Sequence, residues 1–373
     1  VIPGSQWSRS ASLDQRVTDG ALRYRMDLAS ASNAGFVVTA REGDGYSSVL
    51  GGFDASLRFT PSDRLEFQVL ASRTDYPDSF AVGVGQPTGE FDGTAYEVEL
   101  SHDSGAFDWW AAHMHVDDGF RADMGYRPRA DFRQTRGGWA YAWRAEAGSW
   151  YTVVNTGFGY VHNEALDGEM LESFLDYWIN YAGPLRSSVD VYGMIGDEAF
   201  DGSEYDNTRV SINAAVWPGG STRLGLNATV GNAVDYFNRR AAERVYLEPL
   251  VTLKLARRLD VVLSHEYERL DVDDGRLYTA NISYLRTAYQ FTKRAFLRAI
   301  LQYEDYDYNA ALYSDDRESR YRQLASQVLF SYKINPQTVL YLGYSDAHES
   351  PSSEDLIQKE RTFFAKIGYA LVL

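Results

Sequence analysis

From about Ala21 to the last residue, apolar and polar side chains alternate with a period of two, and helical spacing is hard to find. Successive side chains of a strand point to opposite faces, so each such run is a ribbon with one apolar and one polar face. Phe53, Ala55, Leu57 and Phe59 alternate with Asp54, Ser56 and Arg58. Beyond Thr60-Pro61-Ser62-Asp63, Leu65, Phe67, Val69 and Ala71 alternate with Glu66, Gln68 and Ser72, which makes the pair a hairpin. The pattern returns around Trp217-Pro218-Gly219-Gly220, with Val210, Ile212, Ala214 and Val216 before it and Leu224, Leu226, Ala228 and Val230 after it. It returns again at Val328, Phe330 and Tyr332 before Asn335-Pro336-Gln337.

Short turns fall near Ser32, Pro61, Gly105, Gly148, Gly183, Gly219, Arg257, Lys293 and Pro336. The chain between them accommodates two strands of about a dozen residues and one longer loop. The longer connections, 75–90, 117–131, 164–169, 197–206, 271–275 and 303–320, are acidic and rich in tyrosine. Short turns at one end and long polar loops at the other define an outer-membrane barrel. A soluble propeller or sandwich also has many strands, but no motif repeats here at the period of a propeller blade.

The expected fold is all-β: a large antiparallel transmembrane β-barrel of about 20 strands when complete, within a range of roughly 18 to 22, with short periplasmic turns and long acidic extracellular loops. Nine turns join eighteen strands and a terminal strand makes nineteen, whereas single-chain bacterial barrels have even numbers. A partner strand is therefore expected in 1–13 or upstream of this sequence. The expected division is an N-terminal segment or remnant of an upstream region, 1–20, and a barrel, 21–373. Within the barrel, 117–133 is a candidate inward-folded loop.

Composition narrows the function. With 52 acidic against 36 basic residues the net charge is −16, which excludes nucleic-acid binding by bulk attraction. The absence of cysteine excludes disulfide frameworks, thiolate metal sites and cysteine nucleophiles. The 27 tyrosines outnumber the 18 phenylalanines, as suits a surface apolar on one side and wet on the other. Girdle positions are expected at Trp139, Tyr141 and Trp143, at Tyr177 and Tyr181, at Tyr289 and Phe291, and at Tyr303, Tyr341 and Tyr344. The intervening charges Glu97, Glu99, Arg144, Glu266, Arg286 and Arg298 are assigned to the lumen, because Arg or Lys facing lipid at mid-bilayer costs about 2 to 4 kcal/mol.

The last strand places Phe363, Ala365, Ile367, Tyr369, Leu371 and Leu373 on one face. Its final residues, with Lys366, Gly368, Leu371 and Leu373, resemble the signal that outer-membrane barrels present to their assembly machinery. That signal prefers a terminal aromatic, from which Leu373 departs.

Four segments carry a family resemblance: FRADMGYRPRADFR at 120–133, TAYQFTKRAFLRAILQYEDYD at 287–307, KINPQTVLYLGYSD at 333–346 and GFVVTAREGDGYSSVLGGFDASLRF at 35–59. Together they resemble the C-terminal barrel of bacterial outer-membrane proteins in which a family-9-like carbohydrate-binding module precedes the barrel. The resemblance implies a barrel of unassigned transport role. It carries no sugar-binding residues onto this sequence.

Motifs for catalysis are missing: there is no G-x-S-x-G, P-loop or H-E-x-x-H, and no catalytic residue, metal or cofactor is assigned. His113 and His115 supply half a metal site at most, and Asp271, Asp273, Asp274 and Gly275 fail the calcium-loop pattern for want of the later Glu. The least strand-like stretch interleaves Arg121, Arg127, Arg129 and Arg133 with Phe120, Tyr126 and Phe132. Arg121, Tyr126, Arg127, Arg129 and Arg133 are therefore the candidate substrate-binding set, and the competing reading is a latch that ties a long loop to the barrel. The function expected is a pore or translocation conduit in the bacterial outer membrane, plugged or gated by an upstream domain or partner protein, and not an enzyme. The alternative is a non-conducting scaffold that holds a protein or carbohydrate ligand. Expected partners are outer-membrane lipid, lipopolysaccharide and the barrel-assembly machinery.

Overall fold

The computed structural model describes residues 12–256, 258–350 and 355–370. They form one antiparallel sheet in which each long strand pairs with its neighbours in sequence. The chain divides into two compact units, each taken by itself below.

The first unit contains 1–143, 155–177 and 194–205. Its opening strands are β1 (Thr18–Asp27), β2 (Asn33–Gly43), β3 (Tyr46–Arg58), β4 (Asp63–Asp75) and β5 (Phe91–Asp103). β6 (Phe107–Val116), β7 (Phe132–Arg144), β8 (Val153–Ala165), β9 (Met170–Gly183) and β10 (Ser187–Phe200) follow, and the last four run wholly or partly in this unit. The four-residue β11 (Ser203–Asp206) comes next, and the one α-helix among the described residues, α1 (Asp78–Val84), lies between β4 and β5. Among the described residues no helix is long and apolar enough to cross a membrane.

The second unit contains 144–154, 178–193 and 206–373. It holds β12 (Arg209–Gly219), β13 (Thr222–Asp235), β14 (Arg240–Leu255), β15 (Leu259–Val272) and β16 (Gly275–Thr292). β17 (Ala295–Tyr308), β18 (Arg320–Asn335), β19 (Thr338–Ser350) and β20 (Ile357–Tyr369) complete it.

Register shows why the alternation exists. Tyr24 faces Phe36, Phe36 faces Phe53, Phe53 faces Val69 and Val69 faces Tyr96, so one face is continuously apolar across five strands. That face is also open: Leu22 is 59% exposed and Val69 52%. In the second unit Leu263 faces Leu285 and Leu285 faces Leu301 in the same way. Bare aliphatic faces of this extent are stable against lipid hydrocarbon and not against water. The other face carries the charges, since a one-residue step reverses direction.

Eight of the nine expected turns coincide with links of the sheet, among them 59–62, 104–106, 220–221 and 336–337, and Arg257 of the ninth lies outside the described residues. The opposite connections are shorter than expected in places. β15 and β16 are joined by Asp273 and Asp274 alone, β17 runs on to Tyr308, and 197–206 is largely strand. In these places the polar stretch was the solvated end of a long strand. One girdle position differs as well. Tyr341 pairs with Ser331 and Lys366 on the polar face, whereas Tyr344 pairs with Val328 and Phe363 on the apolar face. Positions three apart on a strand cannot share a face. The N-terminal segment is described only from Ser12, and β1 starts at Thr18.

Candidate functional site

The polar face of β3 to β5 is unusual at its loop end. Tyr46, Leu50, Ser72, Thr74, Phe91, Gly93 and Ala95 share this face, and most of them are buried. The connection 117–131 between β6 and β7, together with 76–90 between β4 and β5, packs against this face. Phe120, 1% exposed, packs with Leu50, Ala95, Val116, Ala130 and Phe132 in a hydrophobic cluster on the inside of the sheet. Two glycines permit the approach. A Cβ on Gly93 would lie 2.1 Å from the Phe120 nitrogen, and one on Gly119 would lie 2.2 Å from the Asp92 carbonyl oxygen.

Polar contacts fix the segment at three points. At its base, the Thr94 amide and hydroxyl donate to Asp117 Oδ2 at 2.8 and 2.5 Å, and His115 Nε2 lies 2.9 Å from Oδ1. Burial works against the Asp117 carboxylate, but the Thr94 and His115 hydrogen bonds outweigh it and hold its pKa below the usual carboxylate range. At its centre, the Arg121 amide donates to Ser72 Oγ at 2.9 Å. At its tip, Asp123 accepts from the hydroxyls of Tyr46 (2.7 Å) and Tyr76 (3.0 Å), whose rings stack with centroids 5.7 Å apart. Burial, followed by the Asp123 charge, raises the Tyr76 phenol pKa.

Arg121 is 4% exposed. Its Nε donates to Gln86 Oε1 at 2.9 Å, and its Nη1 donates to the carbonyls of Asp118 and Phe120 at 2.6 and 2.8 Å. The guanidinium also lies 5.2 Å from the Phe91 ring centroid. All these hydrogen-bond acceptors are neutral, and burial lowers its pKa. Gln86 belongs to the connection 76–90, which carries α1, and Ala81 of α1 packs with Tyr46 and Tyr76. Two inward-folded segments are thus bolted to the wall and to each other.

The other sequence-predicted arginines diverge. Arg127 lies over the Phe132 ring at 5.9 Å, with Nη2 3.3 Å from Met114 Sδ, and feels the charge of Glu97. Tyr126 is 75% exposed, and Arg129 is half-buried and partnered. Arg133 pairs across from His115 on the apolar face, near the strand end, and its Nε reaches Glu164 Oε1 at 2.5 Å. The five residues therefore do not converge on one pocket.

Below the inward segments the same face lines a cavity of about 560 Å³ with Arg25, Asp54, Arg64, Glu66, Glu97 and Glu99. Arg136 Nη2 bridges Glu97 and Glu99 at 2.9 Å each. Strand alternation puts Glu97, Glu99 and Arg144 on this face, and in the second unit register puts Glu266, Arg286 and Arg298 there too, opposite Ile282, Val262 and Ala288. Lys366 and Gly368 of β20 lie on the polar face opposite Tyr341 and Val339, while Leu371 and Leu373 lie outside the described residues. His113 is hydrogen-bonded to Thr135 (3.0 Å), and among the described residues no three metal-type side chains converge.

No family model matches the sequence, and no curated protein does. Solved structures do match. The chain is similar over 99% of its length, and 74% of theirs, to the ferric enterobactin receptor PfeA in complex with BCV-L6, at 10% identity and a TM-score of 0.52. It is similar over its whole length, and 76% of theirs, to the siderophore receptor PirA from Pseudomonas aeruginosa, at 10% identity and a TM-score of 0.50. The fold is that of a bacterial outer-membrane β-barrel, with the apolar face toward lipid and the polar face toward the lumen.

Proposed function

We propose that the chain is a conduit through the outer membrane whose bore is narrowed by its own inward-folded connections, 76–90 and 117–131. The observation that carries this reading is the burial of Arg121 against Gln86 and two carbonyls on the lumenal face, which makes the segment a fixed part of the wall and not a solvated loop. A fixed constriction above a charged cavity selects small polar solutes by size and charge. Glu97, Glu99 and Arg136 are the selectivity charges, and the charge of Glu97 also acts on Arg127 of the inward segment. An upstream domain or partner protein supplies further gating, in keeping with the resemblance to barrels preceded by a carbohydrate-binding module. Lipopolysaccharide at the outer rim and the assembly machinery at β20 are the remaining partners of this reading.

Osmotic swelling of liposomes containing the folded chain tests the proposal. Swelling in small neutral sugars but not in large oligosaccharides is the expected result. Equal exclusion of every solute by folded protein would leave a scaffold instead.

A further inference from the structure

The second unit has a different lumenal cavity, of about 420 Å³, between β15, β16, β17 and the connection 309–319. Its walls are phenol rings and its floor is acidic. Tyr306 and Tyr308 stack with centroids 5.8 Å apart, and Tyr313 meets Tyr308 edge-on at 5.9 Å. Glu266 and Glu268 line the floor, and the charges of Glu248 and Glu304 act on Glu266 as well. Three of the four carboxylates accept hydrogen bonds: Glu248 from Asn227 (2.7 Å), Glu268 from Arg244 (2.5 Å) and Glu304 from Gln302 (2.7 Å). Among the described residues no side chain donates to Glu266.

A cation already sits on these rings. The Arg317 guanidinium lies 4.0 Å from the Tyr313 centroid, 5.3 Å from that of Tyr308 and 5.5 Å from that of Phe237, and its Nη2 reaches Asp315 at 3.0 Å. It is carried on the connection that closes the cavity, whose Leu312 carbonyl accepts from Arg240 Nη2 at 2.6 Å. Carboxylates outnumber guanidinium groups around this space, and π faces and carboxylates both favour a cation.

We propose that this cavity binds an organic cation, a guanidinium or primary amine on an aliphatic stem, and that Arg317 is its tethered competitor. The ligand would stack on Tyr308 and Tyr313, as Arg317 does, and place its donors on Glu266. A bare metal ion fits poorly, because among the described residues no three ligating side chains come together. The volume is in the range of small-molecule sites, roughly 300 to 1,000 Å³. A tethered group competes at an effective concentration of about millimolar, so removing it raises the apparent affinity for a free ligand.

Agmatine is the probe, titrated calorimetrically into the folded full chain in detergent, with calcium chloride and glucose as comparisons. We expect agmatine to bind, Arg317→Ala to bind it about tenfold more tightly, and Glu266→Gln to bind it at least tenfold more weakly. Arg317→Lys, which keeps a tethered cation, should stay near the parent value. If Arg317→Ala does not fold, the loss in Glu266→Gln decides. Tighter binding of calcium or glucose than of agmatine, unchanged affinity in Glu266→Gln, or no heat of binding in any folded variant would overturn the assignment. None of these outcomes depends on whether the chain conducts.

Discussion

The Tyr76 hydroxyl, 47 residues away in sequence, donates to the Asp123 carboxylate at 3.0 Å and thereby joins the end of β4 to the tip of the segment that folds across the lumen. Asp123→Ala strands this phenol and that of Tyr46 without an acceptor, at a cost of about 1 to 3 kcal/mol per unpaired buried group. The wall does not depend on the contact. The variant should therefore keep its resistance to unfolding on unheated gels, while limited proteolysis cuts within 117–131 at least tenfold faster than in the parent. Equal cutting rates would contradict this latch.

Alkaline pH should release the same latch. The Tyr76 phenol has a raised folded-state pKa, so its contribution is fully present below the unfolded value of about 10 and is lost as pH rises through the folded value. Protease sensitivity of 117–131 should stay flat up to about pH 10 and rise beyond it. Tyr76→Phe should diminish that alkaline rise, leaving the part carried by the Tyr46 phenol on the same carboxylate, and a rise of unchanged size in Tyr76→Phe would assign it to another group.

Gly93→Ala tests the close approach. The added methyl would lie 2.1 Å from the Phe120 nitrogen, so the segment must lift from β5, and overpacking of this kind costs about 1 to 3 kcal/mol. The expected result is a larger single-channel conductance with more flicker. Gly51→Ala, where nothing lies within 4 Å of the added carbon, is the control and should behave as the parent.

Selectivity should follow the Arg136 bridge. Replacing Glu97 and Glu99 together by glutamine leaves Arg136 without its two carboxylates, and reversal potentials in a salt gradient should move toward anion preference. Arg136→Gln should move them toward cation preference. Shifts of the same sign in both variants would remove these charges from the conduction path.

Much of the wall was legible in the sequence because a period of two has a single structural meaning, and the turn residues between runs confirm it. Phase decided individual side chains: Tyr341 and Tyr344 look like one girdle pair but stand on opposite faces. The inward segment was harder to read. Arg121 meets Ser72 and Gln86, and Asp123 meets the Tyr46–Tyr76 pair, through contacts with distant parts of the chain, and no local pattern announces them. A signal did exist in the phase itself. Leu50, Ala95, Val116 and Phe132 are apolar residues at lumenal positions, and apolar side chains there mark where something packs. The arginines gave a misleading unity, since Arg133 lies on the opposite face from Arg121. The cavity around Glu266 was invisible for a related reason: its tyrosines and carboxylates come from different strands, and with 52 acidic residues close carboxylates are common by chance.

Single-channel recording of the folded chain in planar bilayers, beside a variant in which 119–129 is replaced by a short glycine-serine link, tests the central claim most directly. A steady conductance from the parent, and a severalfold larger one from the shortened variant, is the predicted result. Silence from both proteins, each shown to be folded by its mobility on unheated gels, would contradict a conduit. Equal conductances would contradict a constriction made by this segment.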